Sequence, residues 1–283
     1  MMTHSEHGVE PEQYEPDLAD KDQARDHILD FSMVVARISG QYVVIDDLAL
    51  DLRVPLHISS IQADFHDVDG QNIPSFESIH HREETLVGVG DPTLGATWLA
   101  VPGASSPVTL EVGLGVTIPL GSTEPDPFEL GRAEEPHSHV FFGSGTFDPI
   151  ARIELRAPLD GWSPRLWSDA RISLYENEHG YRGPTVVQAG LGALSSLGTD
   201  VWSFLVEVGL FHEEPARWSG RQAENSGRTE VLAAAAVAFR ASPNWMVSTQ
   251  ARTPLYTQAV GGQLEMPLLV MVGATYTPTP DAP

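Results

Sequence analysis

Val108–Leu120 reads VTLEVGLGVTIPL, and its period decides the fold. The even positions Val108, Leu110, Val112, Leu114, Val116, Ile118 and Leu120 are all aliphatic. The odd positions are Thr109, Glu111, Gly113, Gly115, Thr117 and Pro119. Side chains of a strand alternate between its two faces, so this segment has one wholly apolar face and one small or polar face.

The same texture spreads in both directions. Between Val44 and Ile58, Leu48, Leu50, Leu52, Val54, Leu56 and Ile58 oppose Ala49, Asp51, Arg53, Pro55 and His57. Ile153, Leu155, Ala157 and Leu159 oppose Arg152, Glu154 and Arg156, and Leu166–Glu176 places Asp169 and Arg171 opposite Leu166, Ala170 and Ile172. In Val201–Phe211, Trp202, Phe204, Val206, Val208 and Leu210 oppose Ser203, Leu205, Glu207 and Gly209. Leu264–Tyr276 keeps Leu268, Val270, Val272 and Tyr276 on one face, with Leu269 and Met271 as exceptions on the other. Candidates at Leu29–Ser39, Ser75–Val101, Pro184–Leu197, Arg228–Arg240 and Trp245–Tyr256 complete the series. Short connections are expected at Gly40-Gln41, Pro102–Ala104, Asp160–Trp162, Leu197–Thr199 and Ala241–Pro243. Longer or acidic ones fall at 65–74, 121–146, 177–183 and 212–227.

Alternation alone also suits a soluble antiparallel sandwich, with the apolar faces turned into a core. Three features point to a membrane instead. The strands are long, and short turns alternate with long loops as in outer-membrane barrels. Charges stand in mid-strand on the non-apolar face, where a polar lumen accommodates them and lipid does not. Tryptophans fall near strand ends, as an interfacial girdle requires. Strands in lipid must close to satisfy their backbone groups. The expected fold is an all-β antiparallel transmembrane β-barrel of about twelve strands. Residues 29–276 form the barrel, 1–28 a polar acidic tail or external loop, and 277–283 a C-terminal tail.

The composition sets bounds. There are 16 basic and 39 acidic residues, a formal charge of −23, so nucleic acid is not an expected partner. With no Cys, disulfides, thiol nucleophiles and Cys-ligated zinc are excluded. No apolar run approaches the ~18 residues of a transmembrane helix, a test that says nothing about strands. Parity adds an expectation. If Leu264–Tyr276 descends to the periplasm, Leu29–Ser39 also descends, yet bacterial single-chain barrels have even strand numbers. The first ascending strand, with a signal peptide before it, is therefore expected to be missing from this chain. Met1 or Met2 would then lie in the first external loop.

Six stretches resemble a known family. They are DDLALDLRVPLHISSIQADF (46–65), VGVGDPTLGATW (87–98), LEVGLGVTIPLGS (110–122), FGSGTFDPIARIEL (142–155), GYRGPTVVQAGLGA (180–193) and TQARTPLYTQAVGG (249–262). They resemble the Gram-negative outer-membrane transporter family associated with the phenol meta-degradation pathway. The resemblance implies an outer-membrane channel for passive passage of small, hydrophobic or aromatic solutes. It also implies lipid, lipopolysaccharide and the barrel-assembly machinery as partners. The competing functions are a non-conducting structural or adhesive barrel and a soluble all-β binding protein.

The candidate lumen-lining residues are Arg53, Glu111, Arg152, Glu154, Arg156, Asp169, Arg171, Glu207 and Arg252. Their crossed charges would set solute preference through the local field, or would rigidify a plugged lumen. Asp91 and Asp148, each before a proline, are candidate structural acceptors at breaks in the ladder. No catalytic, cofactor or metal site is expected, and no cofactor. His137 and His139 with Glu134 or Glu135 read as ordinary loop residues. Ser144 lacks the strand–turn–helix context of a nucleophile elbow.

Overall fold

The computed structural model describes residues 2–3, 7–8, 26–67, 69–73, 83–101, 108–133, 135, 140–195, 201–223, 226–259 and 266–278. Its strands are β1 (Met2–Thr3), β2 (His7–Gly8), β3 (Asp26–Ile45), β4 (Leu48–His66), β5 (Glu84–Val89) and β6 (Thr93–Val101). Then follow β7 (Thr109–Thr117), helix α1 (Pro127–Arg132), β8 (Pro149–Arg156), β9 (Trp162–Arg171), β10 (Tyr181–Arg182) and β11 (Val186–Ser195). The chain continues through β12 (Trp202–Glu213), β13 (Arg217–Trp218), β14 (Arg221–Gln222), β15 (Arg228–Arg240), β16 (Trp245–Ala259) and β17 (Leu269–Tyr276).

Fourteen strands form one sheet in which each long strand pairs antiparallel with the next, from β3 to β17. β5 and β6 are two pieces of one crossing. Both pair with β4, and they are separated at Gly90–Pro92, where Gly90 donates its N–H to the Pro55 carbonyl at 2.9 Å. Pro55 and Pro92 carry no N–H, so the ladder breaks where neither strand can donate. The sheet thus makes eleven crossings, a mostly antiparallel all-β, barrel-like architecture. One cavity is lined from β3, β8, β9, β11, β12, β15, β16 and β17, so the sheet curls until strands near both of its ends border the same space.

Two early boundaries differ from expectation. β3 begins at Asp26 rather than Leu29 and runs through Gly40-Gln41, and the hairpin turns at Asp46-Asp47. Gly40 has open space around it, so that glycine marks no turn. β1 and β2 pair antiparallel with Phe31, Asp30, His27 and Asp26 of β3, so Met2–Thr3 and His7–Gly8 lie along the sheet. Most of 1–25 and all of 279–283 lie outside the described residues.

The aliphatic faces point out of the structure. Leu114 is 66% exposed, Val87 73%, Leu191 65%, Leu255 64% and Val272 74%. In water each would forfeit about 1.5–3 kcal/mol of burial, which no soluble fold repeats along every strand. The soluble sandwich required these residues to form a core, and Leu114 shows they do not. On β4 the outward residues are apolar from Leu48 to Ile58 and become Ser60, Gln62 and Asp64 beyond it. Ten steps at ~3.4 Å span ~34 Å along the strand, or ~24 Å across a bilayer at ~45° tilt, matching the usual apolar band.

Tryptophans divide into three groups. Trp98, Trp162, Trp202 and Trp245 sit at strand ends on the short-turn rim, each about half exposed. There Trp202 packs on Phe239 at 4.7 Å between ring centroids and Trp245 on Tyr276 at 5.1 Å. Trp167 faces the interior instead, and Trp218 is buried among the loops of the opposite end.

Candidate functional site

The site is the inner face of the sheet together with the described parts of the loop between β7 and β8, 118–133 and 140–148. On β4 and most of the later long strands the residues opposite the exposed aliphatic positions turn inward. On β8 and β9 these are Arg152, Glu154, Arg156, Arg165, Trp167 and Asp169. Strand register sets Arg152 beside Asp169 and Arg156 beside Arg165. Arg152 donates from Nε and Nη2 to Asp169 Oδ2 at 3.2 and 3.1 Å. Glu154 accepts from Arg156 and lies 3.3 Å from Arg165 Nη2. Arg165 is also 3.7 Å from Glu207, which accepts from Trp167 Nε1 at 2.7 Å. The chain Arg156–Glu154–Arg165–Glu207–Trp167 therefore ties β8, β9 and β12 together across β11. Gly190 makes this possible: a Cβ there would fall 2.7 Å from Trp167 Nε1, so the indole lies flat over the bare strand.

The other candidates occupy the same face. Arg53 is 3.9 Å from Asp51, which accepts from Thr97 Oγ1 at 2.9 Å. Glu111 stands in register with Glu154. The Nε atoms of Arg171 and Arg252 are buried without a hydrogen-bond partner. Arg37, Arg165, Arg228 and Glu230 join the site without having been singled out in the sequence. Arg228 and Glu230 are 3.9 Å apart, and the Arg228 guanidinium lies 5.0 Å from the Phe211 ring centroid. Extending the period of β15 back to its first residue was the available signal.

Asp91 holds the loop. Its Oδ1 accepts from the Gly121 N–H at 2.9 Å, and its Oδ2 accepts from the Ser144 N–H at 2.7 Å and the Ser144 hydroxyl at 2.9 Å. These donors belong to the two ends of the loop, which cross at Gly121 and Gly143. A Cβ on either would come within 2.7 Å of the other's backbone, so only glycine fits the crossing. Ser144 is thus a structural donor to a carboxylate. The loop then lays Phe142 along the inner wall. Its ring stacks on His57 of β4 at 5.1 Å and 21°, over Gly88 of β5.

Asp148 closes the loop at the mouth of β8. It is 1% exposed. Its Oδ1 accepts from Thr146 Oγ1 at 2.8 Å, and its N–H donates to Thr117 Oγ1 at 2.8 Å. Burial pushes this carboxyl above the usual carboxylate range, against the pull of Thr146, Arg171 and Ser144. A raised value in the fold means that Asp148 supports stability below its unfolded pKa. That support is lost as pH rises through the raised value. Asp148→Asn keeps the acceptor and removes the titration. It is expected to leave stability at pH 7 unchanged or higher, by about 1 kcal/mol or less. The temperature at which the folded band converts to the unfolded one on a gel checks this.

Three external loops share a buried cluster. Ala216, Trp218 and Ala223 pack with Phe128, Phe141 and Tyr181, and β10, β13 and β14 make a second small sheet there. Phe141 meets Tyr181 edge-on at 4.9 Å. Burial pushes the Tyr181 hydroxyl up to about 12, so it stays neutral. This cap sits beside the Asp91-anchored loop. His137, His139 and Glu134 lie outside the described residues, and no cluster of metal-ligating side chains occurs among the described ones.

The sequence matches no family profile and no curated protein. The fold is similar to that of an outer-membrane channel from Pseudomonas putida F1. The TM-score is 0.59 over 98% of this chain and 92% of that one, at 14% identity. A Pseudomonas aeruginosa FadL homologue aligns with TM-score 0.41 over 93% of this chain and 71% of that one, at 13% identity. OmpT of Vibrio cholerae aligns at 0.34 over 88% and 97%, at 8% identity. The likeness to the Pseudomonas putida channel is one of fold: a mostly antiparallel, barrel-like all-β sheet, which in this chain carries its aliphatic belt outward.

Proposed function

We propose that this protein is a passive outer-membrane channel for small solutes, hydrophobic or aromatic ones among them. It works without a catalytic step, seated in lipid and lipopolysaccharide after insertion by the barrel-assembly machinery. The observation that carries the reading is an exposed aliphatic belt wrapped around a charged cavity of about 460 Å³. A membrane protein that only anchors or adheres has no need for a lumen of that size. The charges named above, from Arg53 to Arg252, would line the path and bias which solutes enter. Protein refolded in detergent is expected to migrate differently before and after boiling and to conduct in planar bilayers. Retention as a monodisperse soluble protein without detergent would reject the reading.

The wall would close with a twelfth strand. β3 and β17 both descend, so direct closure would join parallel edges. One ascending strand between them restores antiparallel pairing on both sides. β1 and β2 already run in that direction along the outer end of β3. Beyond Phe31, β3 has no second partner among the described residues, and it is exposed on both faces from Ser32 to Ile45. Hydrogen exchange of the native protein in its membrane is expected to show protected amides on both edges of Ser32–Val43. Fast exchange along one edge would leave the wall open there.

The non-conducting barrel has one specific observation in its favour, the loop laid along the inner wall with its charge pairs below. Absence of conductance in folded, membrane-inserted protein would select it.

A further inference from the structure

The charged cavity is two-sided. Five arginines line it against three carboxylates, so its interior is positive within a chain of net charge −23. The three carboxylates are already engaged: Asp169 by Arg152, Glu154 by Arg165, and Glu230 by Arg228. Arg252 makes no ion pair among the described residues, and its Nε is buried with no acceptor, as is that of Arg228. Arg252 lines the cavity as a guanidinium without an ion-pair partner, and a carboxylate presented in the plane of such a group is held by paired, charge-assisted bonds.

The lining beside Arg252 is apolar. In register with Arg252 stands Leu269 of β17, and Met271 follows two residues on along the same inward face. Leu232, Pro254 and Met266 extend this wall. Leu269 and Met271 are the two apolar residues that break the alternation of their strand, and inside a lumen they have no structural need to be apolar. The thioethers and Leu side chains give an adaptable surface for an apolar body.

We propose that this wall and Arg252 form a binding subsite for an organic monoanion. Its carboxylate would be taken by Arg252, and its apolar body would lie on Leu269 and Met271. The proposal rests on the channel reading and names the class of solute that the channel retains in passing. A small inorganic anion meets only half of the site, and so does a neutral apolar molecule.

Benzoate, acetate and benzyl alcohol separate the contributions, using the full chain folded in detergent. Two readouts are needed: chloride current in planar bilayers and calorimetric binding. Benzoate is expected to bind, and to interrupt the current, at concentrations at least about tenfold below acetate, which is about 1.4 kcal/mol of selective contact. Benzyl alcohol is expected to do neither. Arg252→Gln should abolish the benzoate effect, while its unchanged shift on boiling shows that it folds. Met271→Gln should lower benzoate to the level of acetate and leave acetate unaffected.

Equal action of benzoate and acetate overturns the subsite, and so does equal action of benzoate and benzyl alcohol. Undiminished benzoate binding to Arg252→Gln overturns the role of that arginine. Conductance without benzoate binding rejects the subsite and keeps the channel. Benzoate binding without conductance keeps the subsite and rejects the channel.

Discussion

Asp91→Ala is expected to free the loop 118–148 from the inner wall. The substitution removes the acceptor of three hydrogen bonds, from Gly121 N–H, Ser144 N–H and the Ser144 hydroxyl. Bonds to a charged acceptor contribute about 1.5–3 kcal/mol each, and water recovers part of that once the loop opens, so a net loss of about 2–4 kcal/mol is expected. Asp91→Asn should lose nearly as much, because the amide group turns donors toward a backbone N–H that also donates. This is the reverse of the tolerance expected at Asp148, where one accepting oxygen and burial decide the outcome. Limited chymotrypsin digestion in detergent reads the effect through Phe128, Leu130, Phe141 and Phe142, all within the loop. Cleavage of Asp91→Ala at the unmodified protein's rate would show that the loop holds itself in place.

The second large effect is expected from Phe142→Ala, and it is functional. The ring lies flush against the wall, stacked on His57, with Gly88 bare beneath it. Removing it takes the bulkiest group of the loop off the inner surface while Asp91 still holds both loop ends. Single-channel conductance is expected to rise. The lost stacking and burial amount to about 1–3 kcal/mol, less than for a core phenylalanine because the site is partly open. Gly88→Ala should act in the opposite direction, since a Cβ there would meet the ring at 2.4 Å and push it off the wall toward the lumen. Conductance that is unchanged in both variants would mean that solutes pass elsewhere. A rise in Asp91→Ala but not in Phe142→Ala would assign the narrowing to the loop backbone.

Much of the wall was legible because its physics is local. Period two in Val108–Leu120 assigns each residue to lipid or interior without knowledge of its neighbours. Arg152, Asp169 and Glu207 could be placed on one face before their partners were known. Leu269 and Met271 looked like noise in that pattern because a lumen was assumed to be polar throughout. Arg165 was missed because Pro164 and Gly161 suggested a turn, whereas β9 starts at Trp162 and Pro164 sits within it. Trp167 followed the period, yet its type suggested a rim, and only Gly190 on the next strand explains its interior place. The clamp of Asp91 on Ser144 joins residues 53 positions apart, and no local period encodes such a contact. What the sequence offered there was a pair of short motifs, Gly90-Asp91 and the segment 143–148, without a sign that they meet.

The tryptophans of the short-turn rim have a consequence for how the protein sits in bilayers of different thickness. All four outward-facing tryptophans lie at that end, and the opposite rim carries Phe147, Tyr175 and Tyr256 instead. Indoles hold their depth at a membrane interface strongly, so hydrophobic mismatch will not be shared equally between the two rims. A thinner or thicker bilayer should leave the short-turn rim at its level and move the lipid boundary along the far ends of the strands. There β3 and β4 continue well past Ile58, and the boundary can shift by a residue or two without carrying a buried charge into lipid.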